Sequence, residues 1–252
     1  MRALLAPPSA AWFALIVGVA PSACGPPRSP IEAEAEAARV LTWAVGRLQR
    51  DPMPVTGDAL LLLVPAGAPP ASGVRVARAC AGATSFLPAP GHHRRFFVAC
   101  DGKVVVTQGE ALSPLLGQDP DLYVWNLLAF RAAQSPIQML VSATPAGTAE
   151  TQIWQLQIEG TSLTGATPIH GAAELASMEA FFGTFHVPRC LGAARRCLVL
   201  NRPSGAEPQA LDAWDGRPDA VTPVQELSNV LVQDAAWASR DGRWLYMLAG
   251  QR

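Results

Sequence analysis

The chain has 252 residues, half of them hydrophobic, with 20 acidic and 19 basic side chains and a net charge of -1. So much apolar content with so little charge excludes a disordered protein and leaves room for one sizeable core or two small ones. The basic residues are scattered, Lys103 is the lone lysine, and no basic stripe with interleaved aromatics occurs, which excludes nucleic acid as a partner.

Residues 1–23 have the layout of a secretion signal. Arg2 is a basic start, Ala11 to Ala20 an apolar centre, and Ser22-Ala23 a small-residue end before Cys24. The apolar run is shorter than the roughly twenty residues that a bilayer crossing needs. Cutting after Ala20 would leave Pro21 as the new N-terminus, which ordinary signal peptidase tolerates poorly. Ser22-Ala23-Cys24 resembles the lipobox of bacterial lipoproteins, with Pro21 standing where that family usually has Leu. The resemblance implies lipidation of Cys24, and hence a membrane partner and an envelope location; simple secretion is the alternative. Residues 24–30, with Gly25-Pro26-Pro27, then form a stiff tether.

The other cysteines, Cys80, Cys100, Cys190 and Cys197, are even in number, as expected of disulfides in an oxidising compartment. Of their three pairings, sequence neighbourhood favours Cys80 with Cys100 and Cys190 with Cys197. The second loop is short, so its closure is expected to rigidify a surface excursion and stabilise the domain little.

Residues 31–50 predict a helix. Ser29 suits the N-cap, Pro30 the first position and Glu32 the capping box, and Ala37, Leu41, Ala44 and Leu48 recur at helical spacing. Residues 55–252 then read as a β-rich domain. Ala59 to Val64 fits a strand buried on both faces. Phe96–Cys100 and Lys103–Val106 flank Asp101-Gly102, the turn chemistry of a type I′ hairpin. Ile137–Ala143 pairs with Gln152–Ile158, Cys197–Leu200 with Ala210–Trp214, and Ala235–Ala238 with Trp244–Leu248. Leu122–Ala133 is read as strand, and Gly171–Phe182 as helix or strand.

The hairpins recur at about forty to fifty residues, a period that suits four-stranded propeller blades. Ala235-Ala-Trp-Ala-Ser-Arg-Asp-Gly-Arg-Trp-Leu-Tyr-Met-Leu248 resembles the repeat of periplasmic Tol-type and WD-like β-propellers, with Ala238 inserted after Trp237 and Arg240 in place of a proline. The expected fold is therefore mainly β: a β-propeller of four to five blades after one N-terminal helix. Its closing blade either borrows a strand from the N-terminal side or stays incomplete. A β-sandwich is the alternative.

Chemistry is sparse. His92-His93 sits in a predicted loop, and His170 and His186 stand alone, so neither a metal nor a cofactor is expected. No Gly-x-Ser-x-Gly elbow or phosphate-binding Gly-rich loop occurs. Asp212, Asp215 and Asp219 are read as turn formers. Trp125, Trp154, Trp214, Trp237 and Trp244 are read as blade-packing anchors, with a sugar-binding face as the alternative. The expectation is a non-enzymatic exported lipoprotein whose β-rich domain binds a protein or glycan at the envelope. The alternative is an envelope hydrolase with a carboxylate site in the propeller channel.

Overall fold

In the computed structural model, the residues described are 57–90, 92, 94–131, 136–169, 189–191, 196–201, 210–214, 221–227 and 231–250. The secretion signal, Cys24, the tether, the helix over 31–50, the segment Gly171–Phe182, His93, His170, His186, Asp215 and Asp219 lie outside the described residues.

Among the described residues, sixteen strands run in chain order: β1 (Ala59–Pro65), β2 (Val74–Arg78), β3 (Ala83–Pro88), β4 (Arg95–Cys100), β5 (Lys103–Gln108), β6 (Ala111–Pro114), β7 (Leu122–Arg131), β8 (Ile137–Pro145), β9 (Gln152–Glu159), β10 (Ser162–Ile169), β11 (Cys190–Leu191), β12 (Arg196–Asn201), β13 (Ala210–Trp214), β14 (Val221–Glu226), β15 (Leu231–Trp237) and β16 (Trp244–Gly250). They form four antiparallel sheets of four strands each, ordered β3-β4-β5-β6, β7-β8-β9-β10, β11-β12-β13-β14 and β15-β16-β1-β2. This is a four-bladed β-propeller. Four separate sheets of this order rule out the two-sheet sandwich.

Closure is by strand exchange between the ends of the domain. β1 pairs with β16 in unbroken register from Ala59 opposite Gly250 to Pro65 opposite Trp244, so the last blade takes its two outer strands from the N-terminal side. The all-apolar run of β1 suits this place, since Ala59, Leu61 and Val64 are fully buried inside a sheet covered on both faces.

The Asp101-Gly102 turn joins β4 to β5 with φ of 47° and 76°, the left-handed pair that a type I′ turn requires. Apolar clusters fill the gaps between blades. Leu87, Phe97, Leu127, Met139 and Ile158 pack between the β3–β6 and β7–β10 sheets. Phe86, Phe96, Leu61 and Leu248 pack between the closing blade and its neighbour, with Phe96 edge-on to Tyr246 at 5.0 Å. Leu198, Leu211, Val232 and Met247 form a third cluster on the closing blade's other side. Burial of each such side chain contributes about 1.5–3 kcal/mol.

The innermost strands break the simple alternation of sides. β3, β7 and β15 each carry register shifts, which leave Thr84, Trp125, Leu128 and Gln233 as extra residues opposite their partner strands. A bulge of this kind tightens the local twist and re-aims the next side chain. Here it delivers Ser85 and Asp234 to the interior, both wholly buried.

Candidate functional site

The propeller axis is occupied by one ion pair and its ligands. Arg189, immediately before β11, and Asp234, on β15, have side chains 0% and 1% exposed. Arg189 Nε donates to Asp234 Oδ1 at 2.8 Å, and Nη2 donates to Oδ2, making the two-pronged contact that suits a planar guanidinium. Nη1 donates to the carbonyl of Leu127 on β7 at 2.8 Å, and Nη2 also reaches Ser85 Oγ at 2.9 Å and the carbonyl of Phe86 at 3.0 Å, both on β3. The carboxylate accepts from the backbone N–H groups of Phe86 at 3.1 Å and Ala235 at 2.9 Å. One arginine thus bonds the inner strands of the three other blades. A buried ion pair holds only when its remaining donors and acceptors are satisfied, and this one is.

Around it lies further polar fill. Leu127 N–H donates to Ser85 Oγ at 3.0 Å, Thr84 Oγ1 donates to the carbonyl of Trp125 at 2.6 Å, and Asn126 Nδ2 donates to Ser142 Oγ at 3.1 Å. A carboxylate held in this way is consumed as an acceptor. Neither Arg189 nor Asp234 is marked by any motif. The available signal is two consecutive polar residues within an apolar strand, Thr84-Ser85 and Gln233-Asp234, which period-two reading passes over.

A second feature lies where β7 begins. Tyr123 is 37% exposed, and its ring meets that of half-buried Trp125 at 4.3 Å. Trp125 Nε1 donates to Thr144 Oγ1 at 2.8 Å, which fixes the indole. The Tyr123 ring lies over Gly102, and Val124 N–H donates to the Gly102 carbonyl at 2.8 Å. Burial pushes the Tyr123 phenol up, and the negative charge of Asp101 pushes it the same way. The approach to β7 is held by Lys103, whose Nζ donates to the carbonyls of Asp119 at 2.7 Å, Pro120 at 3.0 Å and Leu122 at 3.4 Å. Gln118 adds a side-chain imitation of strand pairing, with Oε1 accepting from Val104 N–H at 2.7 Å and Nε2 donating to its carbonyl at 2.8 Å.

The cysteines pair as neighbours, Cys80 with Cys100 and Cys190 with Cys197. Such bridges belong to an oxidising, exported environment. The second bridge crosses the β11–β12 pair, with Cys197 buried and Cys190 directly after the axial Arg189, while residues 192–195 of the loop it closes lie outside the described residues. Asp212 is a correction. It is not a turn former but lies inside β13 opposite Val199, 6% exposed, because the strand continues to Trp214.

His92 is exposed between β3 and β4. Trp154 and Trp237 pack against apolar clusters as anchors, whereas Trp244 is 43% exposed; the side chain of Trp214 is not described. Trp125 and Trp154 share one blade, Trp237 and Trp244 share the closing blade, and Trp214 lies on a third. Among the described residues, no group of three His, Cys, Asp or Glu side chains is placed to hold a metal, and no helix is long and apolar enough to cross a membrane. A scan against protein-family models and searches of curated proteins and of solved structures return no match to this chain.

Proposed function

We propose that the chain is a non-enzymatic exported lipoprotein, anchored through Cys24, whose propeller is a binding module at the bacterial cell envelope. The observation that carries this reading is the axis. The carboxylate placed where a channel site would lie, Asp234, is buried and bound to Arg189 and to two backbone N–H groups. A general acid or base must reach a substrate proton, which an acceptor spent in this way does not. Contact with a partner then falls to the rim, where Tyr123 beside Trp125 offers an amphipathic aromatic surface of the kind that protein and glycan ligands use. The Tol-type resemblance of Ala235–Leu248, which spans β15 and β16, agrees with an interaction scaffold, although fold alone assigns no function.

The address is tested by labelled palmitate. Wild type incorporates the label, Cys24→Ala does not, and globomycin leaves the uncleaved precursor; an unlabelled wild type removes the anchor and leaves secretion. The binding role is tested by a photoreactive phenylalanine analogue at position 123 in growing cells, where a discrete cross-linked adduct is expected. Turnover of envelope esters or glycosides by the purified protein, abolished in Asp234→Asn, would replace binding with the hydrolase.

A further inference from the structure

Arginines that are scattered along the chain are gathered by the fold. Ser85, Leu127, Arg189 and Asp234 meet at one level of the axis, and β3, β7, β11 and β15 run on from that level to one mouth of the propeller. β3 and β7 advance together, since Thr84 bonds Trp125 and Ser85 bonds Leu127. The ends of β11 and β15 are neighbours, since a Cβ on Gly242 would lie 3.1 Å from Leu191 Cδ1. At this mouth stand His92, Arg94 and Arg95 between β3 and β4, Arg131 at the end of β7, and Arg240, Asp241 and Arg243 between β15 and β16.

His92, Arg94, Arg240 and Arg243 are exposed. Among the described residues, the guanidiniums of Arg94 and Arg240 have no ion pair, and that of Arg243, 81% exposed, lies 3.5 Å from Asp241. Arg95 is turned onto the carbonyl of Gly160 at 3.3 Å. Trp244, 43% exposed, follows Arg243 at the head of β16. Glu110 and Glu159 lie farther out on their blades, and Glu110 pairs with Arg75.

The loops of the other mouth carry the opposite sign. Asp119 and Asp121 precede β7, Asp101 lies between β4 and β5, and Glu150 lies between β8 and β9, all exposed. Lys103 has its ammonium on three backbone carbonyls, and Arg78 is paired with Asp58.

We propose that the arginine-bearing mouth docks on an anionic bilayer surface, with Arg94, Arg240 and Arg243 against lipid phosphates and Trp244 at the headgroup level. Arg94 belongs to the β3–β6 blade, and Arg240 and Arg243 to the closing blade. Single charges spread over separate blades fit a surface of many phosphates, whereas one bound ion needs its donors to converge. A tryptophan beside them has the apolar body and wet N–H that suit a membrane interface. The same surface repels the acidic mouth, so the asymmetry of charge sets the orientation. Tyr123 and Trp125, at the start of β7, are then held away from the lipid and open to a partner.

This inference rests on the proposed envelope location and not on the lipid at Cys24, so the test uses the full chain as Cys24→Ala. Partition is measured onto vesicles of phosphatidylcholine alone and of phosphatidylcholine with phosphatidylglycerol. The neutral vesicles set the baseline for residues 1–23. Binding to the anionic vesicles is expected to be at least about tenfold tighter at low salt, a gain lost as salt screens it. Arg94→Gln/Arg240→Gln/Arg243→Gln is expected to remove most of that gain. Trp244→Ala is expected to weaken binding to vesicles and not to dextran sulfate. Asp121→Asn/Glu150→Gln, which changes net charge at the other mouth, is expected to leave the affinity within about twofold.

The docking face is overturned by equal binding to both vesicles, by a preference that survives loss of the three arginines, or by an equivalent gain from Asp121→Asn/Glu150→Gln. Binding to dextran sulfate without binding to anionic vesicles also overturns it and assigns the mouth to a soluble polyanion. A wild type without palmitate label whose Cys24→Ala chain still prefers anionic vesicles loses the anchor alone. A labelled wild type whose Cys24→Ala chain shows no preference loses the docking face alone.

Discussion

Arg189 and Asp234, 45 residues apart in the chain, meet at the axis with Nε 2.8 Å from Oδ1, and no other contact of the described chain joins so many blades at one point. The pair is a keystone whose worth depends on its being complete. Arg189→Met leaves a buried carboxylate without its partner and is expected to lower stability by about 3–5 kcal/mol in urea unfolding. Arg189→Met/Asp234→Leu removes both charges and is expected to return to within about 2 kcal/mol of wild type. A double variant as unstable as the single one would show that volume, not charge, holds the axis.

Gly102 has two reasons to be glycine. Its φ is 76°, and a Cβ there would lie 2.8 Å from Tyr123 Cγ and nearer still to the adjoining ring carbons. Gly102→Ala is expected to cost about 2–4 kcal/mol and to displace the ring. Gly147 has a similar φ of 78° with nothing within 4 Å, so Gly147→Ala separates the two effects and should cost only about 1–2 kcal/mol. Thermal unfolding of the two variants, with Tyr123 fluorescence or its ring resonances, measures the difference.

Gln118 serves as a strand partner for Val104, which is 1% exposed. Gln118→Ala leaves a buried N–H and C=O without that partner, an expected loss of about 1–3 kcal/mol with faster exchange at the Val104 amide. Protection of that amide unchanged in the variant would show that water substitutes fully for the side chain.

The Asp241 carboxyl is held below its ordinary range, first by the hydroxyl of Ser239, which donates at 2.6 Å, and next by the Arg243 backbone N–H. A depressed folded pKa stabilises the fold above the ordinary aspartate value of 3.8, and that contribution is lost as pH falls through the folded value. Titration followed by carboxyl NMR is expected to show Asp241 ionised below pH 3.8 in wild type and shifted upward in Ser239→Ala. An unmoved midpoint in the variant would assign the shift to Arg243.

Sequence pattern alone revealed strands wherever local chemistry decides the matter. Asp101-Gly102 specified its own hairpin, because only residues tolerant of positive φ close a two-residue loop between twisted strands. The two disulfides were also visible, because cysteines bracketing one hairpin or loop are already neighbours before the domain closes. Asp212 was misread because an aspartate in a glycine- and proline-rich stretch carries the signature of a turn, while its place inside β13 depends on pairing with β12.

The number of blades, the closure and the axis were decided by tertiary structure. Pairing Ala59 with Gly250 joins residues almost 200 positions apart, and no local preference encodes which edge a fully apolar strand will cover. Arg189 and Asp234 were invisible for a related reason. Each is an isolated charge in the chain, and the bulges at Thr84 and Gln233 undo the alternation that would have told which side of its strand a residue occupies. The sequence determined local hairpins, the cysteine pairs and the apolar strands, because those follow from backbone and turn preferences within a few residues. Only the closed ring could turn an arginine and an aspartate into its centre, because burying a charge is favourable only where the fold has already gathered every partner it needs.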